Sequence, residues 1–571
     1  MKKILSSYQS NWLILLGVVS VTLIAFLGTT LYNTKGEPRE AIVAVTMLSQ
    51  GEWLLPINYG ADIPFKPPML AWLIAIVSQL NGGHVTEFIS RIPSAIACVC
   101  MVMMGFSVSS RGRRQSALPM AMAVITFTAF EVERAATSCR VDMVLTAFIV
   151  CAIYFYYLYY DTRRWSYLIG ATVMMALATL TKGPVGIILP SMIMWVWRLT
   201  RGDRFWPLTA TMAVCALLAL APYAWWWVEA MSRGGDEFTR LMIEENFGRF
   251  TGTMSYSSHS NPWWYYFPML AAGFLPYTLL ALIGIPVVWS GKSHFNKSDW
   301  WVRLKRWYCS LEALDQVSLL AIVLTLAFYM IPDSKRGVYI LPLYPFLAWG
   351  MAKYMRRLCT GRGRAIKIYA CFIGILAIIA PLLLAIVMLD LLPQMPEGVR
   401  GILETIYNSE IEWWQLALIM LLAAAGVATL AECQRPSPRQ ALGMSLITTV
   451  IIYWSVGGVF GPIILNPKCM RPVAESLEQS FPREKYIYSM TDRLYELNYY
   501  LDDRMRLIEH DKPSEGIVVG TVDKLQPMRD SLPQYRFELV WLENSPRVDN
   551  LHKAPIAAWR FSTRGDKDAT R

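Results

Sequence analysis

Long apolar segments recur along almost the whole sequence, and they limit its fold more than any other feature. Of the 571 residues, 55% are hydrophobic, and the mean hydropathy is +0.35. Such a chain is too apolar for an ordinary soluble protein and calls for many membrane spans, each of about 20 residues if it crosses straight. A shorter apolar run, 67–80, is typical of a helix at the membrane interface. We predict thirteen spans: 11–31, 91–109, 116–130, 142–160, 166–180, 183–199, 206–228, 264–290, 315–331, 337–355, 365–390, 411–431 and 440–460.

The charges between these segments predict their orientation. With Lys2 and Lys3 inside, every predicted inner loop is basic, as the positive-inside rule requires. The N-terminus is therefore expected in the cytoplasm, and the long loops 32–90 and 229–263 on the outer side. The net charge of +11 belongs to this pattern, so it does not indicate a nucleic-acid partner.

The composition changes sharply after residue 460. Strand-like runs such as 516–519 and 556–561 alternate there with helix-like runs. We therefore predict two domains. The first, over 1–460, is an all-α polytopic membrane domain, and the second, over 461–571, is a small soluble α/β domain on the outer side.

The cysteine pattern indicates no cofactor. The ten cysteines form no CxxC pair and no cluster with histidine, so neither a disulfide framework nor a zinc site is suggested. A divalent metal is left open, although no sequence motif indicates one.

A few charged residues recur at the predicted outer ends of the spans. A charge at a bilayer boundary is costly to desolvate, so such residues face a cavity or a partner more often than lipid. Several cations from distant loops on one face suit a phosphate or diphosphate, and a carboxylate among them can accept a proton from a hydroxyl. The residues are Glu37, Arg39 and Glu40, Lys66, Arg140 and Asp142, Lys182, Arg249, and Lys335, Arg336 and Tyr339.

Each of these charges taken alone has a simpler interpretation. Lys182 could be an interfacial lysine that reaches towards water. Arg140 and Asp142 could form a structural ion pair. Glu37 could favour the first turn of an amphipathic helix predicted over 40–50. Their expected placement on one outer face is what favours a functional site.

Taken together, these motifs resemble glycosyltransferase family 39, the protein O-mannosyltransferase-like family, and within it the bacterial aminoarabinose transferase branch. The resemblance rests on GEPRE with its amphipathic helix, FKPP, RVDM, TKGP, NFGRFTG and SKRGVYILPLYP, and covers residues 1 to about 350. It implies a GT-C membrane fold, a sugar donor carried on a polyprenyl phosphate, and a site in an outer, membrane-facing cavity. It also implies a bacterial inner-membrane protein whose C-terminal domain is periplasmic.

The resemblance further implies roles for the charged residues. Glu37, or failing that Asp142, would be the catalytic carboxylate. The residues that would hold the donor phosphate are Arg39, Lys66, Lys182 and Arg249. The residues that would line the cavity are Glu40, Arg140, Lys335, Arg336 and Tyr339.

Three positions depart from the family pattern. Gly36 stands where the family usually has an aspartate, and Glu40 stands where it usually has a tyrosine. Phe65 replaces the acid, a possible metal ligand, that usually precedes the lysine of the FKPP motif. These departures bear on which carboxylate is the base, on metal binding and on the sugar.

The function expected from these observations is sugar transfer from a polyprenyl-phosphate donor to a lipid A-type or other envelope acceptor. One alternative is glycosylation of Ser or Thr hydroxyls in proteins. A transporter or flippase for lipid-linked sugars is another, although the sequence shows no inverted repeat of the kind common in transporters.

Overall fold

The computed structural model describes most of the chain. The described residues are 7–64, 66–114, 116–244, 260–289, 300–360, 363–391, 406–407, 409–489, 493–543 and 554–563. Two positions discussed above, Phe65 and Arg249, lie outside these ranges.

The chain forms two compact units, and each unit collects segments that are distant in sequence. The first, called the helical unit, comprises residues 1–27, 91–385 and 411–458. The second, called the mixed unit, comprises residues 28–90, 386–410 and 459–571. The loop 32–90, predicted to be the first outer loop, therefore belongs to the same unit as the C-terminal residues.

Apolar helices build the helical unit, because a helix satisfies its own backbone hydrogen bonds where no water is present. Large aromatic side chains such as Tyr154, Tyr344 and Trp349 are buried in its core. A 3-10 helix, Gly337–Leu343, precedes the helix Tyr344–Leu358, and the helix Phe205–Ile243 is broken at Gly235. The helices are α1 (Ser7–Ile24), α4 (Glu87–Ser109), α5 (Leu118–Phe127), α6 (Phe130–Ala136), α7 (Val141–Thr162), α8 (Trp165–Lys182), α9 (Val185–Thr200), α10 (Phe205–Ile243), α11 (Tyr266–Gly273), α12 (Tyr277–Trp289), α13 (Trp300–Ser310), α14 (Ala313–Met330), α15 (Tyr344–Leu358), α16 (Arg364–Met388), α17 (Trp413–Gln434) and α18 (Pro438–Ser455).

Each predicted span overlaps at least one helix, and the chain is a multi-pass membrane protein. Among the described residues, eight helical segments are long and apolar enough to cross a membrane, or nine if one bent pair counts as a single span. That pair, Trp263–Gly273 and Tyr277–Pro286, bends by 98°. Helices α5 and α9 are apolar but shorter. Thirteen crossings therefore stay a prediction.

The mixed unit contains a sheet with an apolar cluster on each face. Within the described residues its strands are β1 (Ile487–Ser489), β2 (Met505–Leu507), β3 (Glu515–Thr521), β4 (Tyr535–Leu542) and β5 (Ile556–Thr563), in the order β2-β1-β3-β5-β4. Strand β1 runs parallel to β2 and β3, whereas β5 is antiparallel to β3 and β4. Successive residues of a strand face opposite sides. Accordingly, Ile517 and Val519 join one apolar cluster and Val518 joins another.

The helices of the mixed unit come from both of its main segments. The loop segment supplies α2 (Gly36–Gln50) and α3 (Met69–Ser78), and α3 falls within the interfacial helix predicted over 67–80. Helix α2 begins four residues earlier than the predicted start at Glu40, so Glu37 and Arg39 lie on the helix itself. The C-terminal helices are α19 (Gly461–Leu465), α20 (Arg471–Ser480), α21 (Tyr495–Tyr500), α22 (Ile508–Asp511) and α23 (Leu525–Ser531).

Helices α8 and α9 approach each other closely at Gly186. A Cβ atom added there would lie 2.6 Å from backbone atoms of Ala178 and Thr179. Lys182 ends α8 just before the short connection, 183–184, so this contact fixes the path of the chain next to Lys182.

We expect the substitution Gly186→Ala to lower the thermal unfolding temperature in detergent, because the added methyl group must push α9 away from α8. Gly350 in α15 is a matched control, since an added Cβ meets nothing within 4 Å. Alanine there should leave stability unchanged or raise it, since Ala is a better helix former than Gly by about 1 kcal/mol. A Gly186→Ala protein as stable as the wild type would contradict this account of the contact.

Candidate active site

The residues predicted to form the site divide between the two units. Those in the helical unit are Arg140, Asp142, Lys182, Lys335, Arg336 and Tyr339. Those in the mixed unit are Glu37, Arg39, Glu40 and Lys66.

In the helical unit, Asp142 and Lys182 form an ion pair. Lys182 Nζ donates a hydrogen bond of 2.6 Å to Asp142 Oδ1. Asp142 lies in the first turn of α7 and Lys182 ends α8, and the two-residue connection between these helices brings both ends to the same side. The helix dipole favours an acid at the start of a helix and a cation at its end. Asp142 therefore has Lys182 as a charged partner. Arg140 is the N-cap residue of α7, and its backbone is extended.

The aromatic ring of Tyr339 adds a third contact to this pair. The Lys182 ammonium lies 4.3 Å from the centroid of the ring. Tyr339 in turn packs against Tyr329, with the ring centroids 5.5 Å apart. An ammonium over an aromatic face gains about 0.5–1 kcal/mol at an exposed site and about 2 kcal/mol when it is desolvated, and this partly exposed pair lies between the two cases. These contacts hold the head of Lys182 in place, while 24% of its side chain stays exposed.

Lys335 is placed differently from Lys182, because it is only 3% exposed. Its Nζ donates a hydrogen bond of 2.6 Å to the carbonyl oxygen of Pro332. The Lys335 carbonyl accepts a hydrogen bond of 3.1 Å from the Asn261 side chain. The next residue, Arg336, is half-buried and accepts a 3.0 Å hydrogen bond from the Tyr339 backbone N–H. The segment thus anchors the residue whose ring contacts Lys182.

Charged residues on α6 were not predicted from the sequence. Arg134 donates two hydrogen bonds to Glu131, from Nε at 2.9 Å and from Nη2 at 2.6 Å. Asp142 contributes to the electrostatic field at Arg134, and burial raises the pKa of Glu133 to about 7. Three charges within FEVER, a few residues before RVDM, are the signal that could have indicated them.

In the mixed unit, Glu40 pairs with Lys66. Lys66 Nζ donates a hydrogen bond to Glu40 Oε1, and the guanidinium of Arg39 lies 3.5 Å from the same oxygen. The family resemblance implies an acid immediately before the lysine, where this chain has Phe65. Glu40, one turn into α2, therefore supplies Lys66 with the carboxylate that Phe65 lacks.

Glu37 lies in the first turn of the same helix and is 8% exposed. An acid in that turn is favoured by the helix dipole.

Metal binding finds no support in the described ranges. They contain no group of three or more His, Cys, Asp or Glu side chains that could hold a metal ion.

Comparison with protein families agrees with the resemblance noted in the sequence. The family described as dolichyl-phosphate-mannose-protein mannosyltransferase matches residues 65–227. Among curated proteins, an undecaprenyl phosphate-alpha-4-amino-4-deoxy-L-arabinose arabinosyl transferase of Pseudomonas savastanoi pv. phaseolicola is 27% identical over 360 residues. That match covers 60% of this chain and 62% of the relative. A transferase of the same description from Pseudomonas fluorescens is 26% identical over 354 residues, or 61% of this chain and 59% of the relative. The matched part therefore spans about three fifths of each relative.

The whole fold matches a solved structure. The crystal structure of ArnT from Cupriavidus metallidurans bound to undecaprenyl phosphate superposes with a TM-score of 0.70 at 18% identity. It covers 96% of this chain and 98% of that one. The fold is therefore of the GT-C type, with a small C-terminal sheet domain, as predicted. Together with the curated relatives, this match confirms the resemblance to the ArnT-like branch.

We expect Lys335→Met not to lower the unfolding temperature, because it replaces a buried ammonium, held by one carbonyl oxygen, with an apolar chain of similar length. Lys353→Met is the comparison, since Lys353 Nζ lies 2.6 Å from Asp315 Oδ2 and its loss removes that countercharge. Thermal unfolding in detergent measures both. A larger loss of stability in Lys335→Met than in Lys353→Met would show that the buried ammonium stabilises the fold.

Proposed function

We propose that this chain is a membrane glycosyltransferase that moves one sugar from a polyprenyl-phosphate carrier to an acceptor of the cell envelope. The acceptor is lipid A or a similar molecule on the periplasmic side of a bacterial inner membrane. The contacts of Lys182 with Asp142 and Tyr339 are the observation that carries the proposal. The names of the relatives, and the undecaprenyl phosphate in the matching ArnT structure, support this class of donor.

Lys182 acts on the donor phosphate. As the bond between the anomeric carbon and the phosphate oxygen breaks, its electron pair stays on the phosphate, where negative charge develops. A fixed ammonium beside that oxygen stabilises the charge without reorganising during the reaction. Asp142 and the Tyr339 ring hold the ammonium in place, while part of the Lys182 side chain stays exposed.

The family resemblance assigns the charged residues of α2 to the same reaction. Arg39 and Lys66 add cations for the phosphate, and Glu40 holds the head of Lys66. Glu37 accepts the proton of an acceptor hydroxyl as the acceptor oxygen attacks the anomeric carbon. A single displacement of this kind inverts the anomeric configuration and leaves no sugar attached to the protein.

The chemical nature of the acceptor decides how much a base matters. A phosphate acceptor is already ionised at neutral pH, so its oxygen attacks without losing a proton. A hydroxyl acceptor needs a base in the transition state. The glycine at position 36, where the family usually has an aspartate, favours the phosphate acceptor.

A second candidate is glycosylation of Ser or Thr hydroxyls in proteins. The description of the family that matches residues 65–227, a protein mannosyltransferase, favours it. The donor and the roles of the cations would be the same in both candidates, and only the acceptor would differ.

We expect Lys182→Met to reduce transfer from a labelled polyprenyl-phosphate sugar by about 100-fold or more, as removal of one stabilising group from a charged transition state does. Lys353→Met is the matched control, because Lys353 also lies 2.6 Å from an aspartate and near an aromatic ring. It should keep wild-type activity in membranes that contain equal amounts of protein. Equal activities of the two variants would contradict the role of Lys182.

Glu37→Gln separates the two acceptors, since it removes the base but keeps the size of the side chain. We expect less than about a threefold loss with lipid A, whereas a hydroxyl acceptor should lose about 100-fold or more. Transfer to purified lipid A and to a Ser/Thr-rich peptide should be measured side by side. Wild-type transfer to the peptide alone, abolished in Glu37→Gln, would reject the lipid A acceptor.

A further inference from the structure

Within the mixed unit, a short C-terminal segment holds the first outer loop at several points. This segment, called the clamp, comprises residues 495–503, which include α21 and the turn after it. The loop comprises the whole mixed-unit segment 28–90, which includes the predicted loop 32–90, and it carries Glu37, Arg39 and Glu40 on α2. The clamp contacts the loop near its start, in its middle and near its end.

Asp503 makes the central contact. Its Oδ2 accepts a hydrogen bond of 2.9 Å from Thr46 Oγ1, and Thr46 lies on α2. Its Oδ1 accepts a bond of 3.1 Å from the Tyr59 backbone N–H and one of 2.8 Å from Asn498 Nδ2. The side chains of Thr46 and Asp503 are buried. Burial raises the pKa of Asp503, and these three hydrogen bonds oppose that effect.

Tyrosine hydroxyls of α21 hold the two ends of the loop. Tyr500 accepts a hydrogen bond of 3.2 Å from the Tyr32 backbone N–H and donates one of 2.8 Å to Glu87 Oε1. Tyr499 donates a bond of 2.7 Å to the carbonyl oxygen of Val85. The start and the end of the loop are therefore attached to the same helix.

The middle of the loop also enters the core of the C-terminal residues. Tyr59 is completely buried in an apolar cluster that includes Leu497. Its ring packs edge-on against Tyr495, with centroids 5.9 Å apart. The Tyr495 hydroxyl donates a hydrogen bond of 3.0 Å to Asp62, which also pairs with Arg493 at 2.8 Å. The loop is thus packed as part of the C-terminal domain.

We propose that the clamp positions α2 for sugar transfer and that Asp503 is the positioning residue at its centre. The proposal rests on the proposed function, in which Glu37 and Arg39 act in the reaction. Thr46 lies seven residues, or about 10 Å, along the helix from Arg39, which contacts the donor phosphate in the proposed function. A tilt of a few degrees at Thr46 therefore moves the Arg39 backbone by about 1 Å, and a misplacement of that size costs about 100-fold in rate. The clamp gives the C-terminal domain a function in catalysis that needs no acceptor binding.

The test compares two neighbouring aspartates. Asp502 and Asp503 both have a left-handed backbone, with φ of 50° and 56°, which suits glycine. Asp503→Gly therefore removes the carboxylate without backbone strain, and Asp502→Gly is the matched control because Asp502 is exposed. Turnover of labelled polyprenyl-phosphate sugar should be measured per folded molecule, well below the unfolding temperature of each protein.

We expect Asp503→Gly to lose about 10- to 100-fold in turnover, while Asp502→Gly stays within about twofold of the wild type. Asp503→Asn should recover turnover to within about threefold, because its amide oxygen still accepts from Tyr59 and Asn498 and its NH2 can donate to the Thr46 hydroxyl. A merely destabilising effect would not change turnover per folded molecule. Wild-type turnover in folded Asp503→Gly, or equal losses in the Gly and Asn variants, would overturn the proposal.

Two milder variants decide the question if Asp503→Gly does not fold. Thr46→Val and Tyr495→Phe each remove one hydroxyl that bonds across the clamp. Reduced turnover in either supports the proposal, and unchanged turnover in both overturns it. A wild-type protein that transfers no sugar from any polyprenyl-phosphate donor would instead reject the proposed function. An active wild type with unaffected variants rejects the clamp alone.

Discussion

A lysine ammonium held between a carboxylate and an aromatic ring is the interaction on which this account of the protein depends. Placing a charge at the edge of an apolar helix bundle costs free energy, and the ion pair between Lys182 and Asp142 offsets part of that cost. The helix ends add to this effect, because both residues lie where the helix dipole favours their charge. The close contact at Gly186 fixes the chain beside them. The result is a cation that is oriented and still partly open to an anionic ligand.

In the mixed unit, a different set of residues compensates a lysine ammonium. There, Glu40 holds Lys66. The residue before the lysine is Phe65, where the family usually has an acid. Glu40 stands where the family usually has a tyrosine. The lysine ammonium is therefore compensated by a carboxylate of α2, in a chain that departs from the family pattern at both positions. The clamp then fixes the helix from which Glu40 projects.

The sequence predicted the helices well because the apolar runs are long and charges mark their ends. It also singled out Asp142 and Lys182, since both stand at the boundary of a predicted span, and the structure brings these two residues together as an ion pair. It placed the start of α2 too late, because the glycine and proline at positions 36 and 38 suggest a loop, although proline is well tolerated in the first turn of a helix.

Other features depend on contacts that no local pattern encodes. Strand β2 has three residues, too few to show an alternating pattern, and only its pairing with β1 defines it. The role of Asp503 depends on Thr46 and Tyr59, more than 440 residues earlier in the chain. The bidentate contact between Arg134 and Glu131 was overlooked for a different reason, since its charges adjoin a predicted span end and were not weighed with the others. Long-range hydrogen bonds therefore account for most of what the sequence did not reveal.

The most direct test of the central claim follows the sugar and its carrier together. Purified protein should be incubated with a polyprenyl-phosphate sugar of known anomeric configuration and with lipid A, and both products should be analysed by NMR spectroscopy and mass spectrometry. We expect one molecule of polyprenyl phosphate to be released for each sugar transferred, with the anomeric configuration inverted. Retention of configuration, or transfer without release of the polyprenyl phosphate, would contradict it.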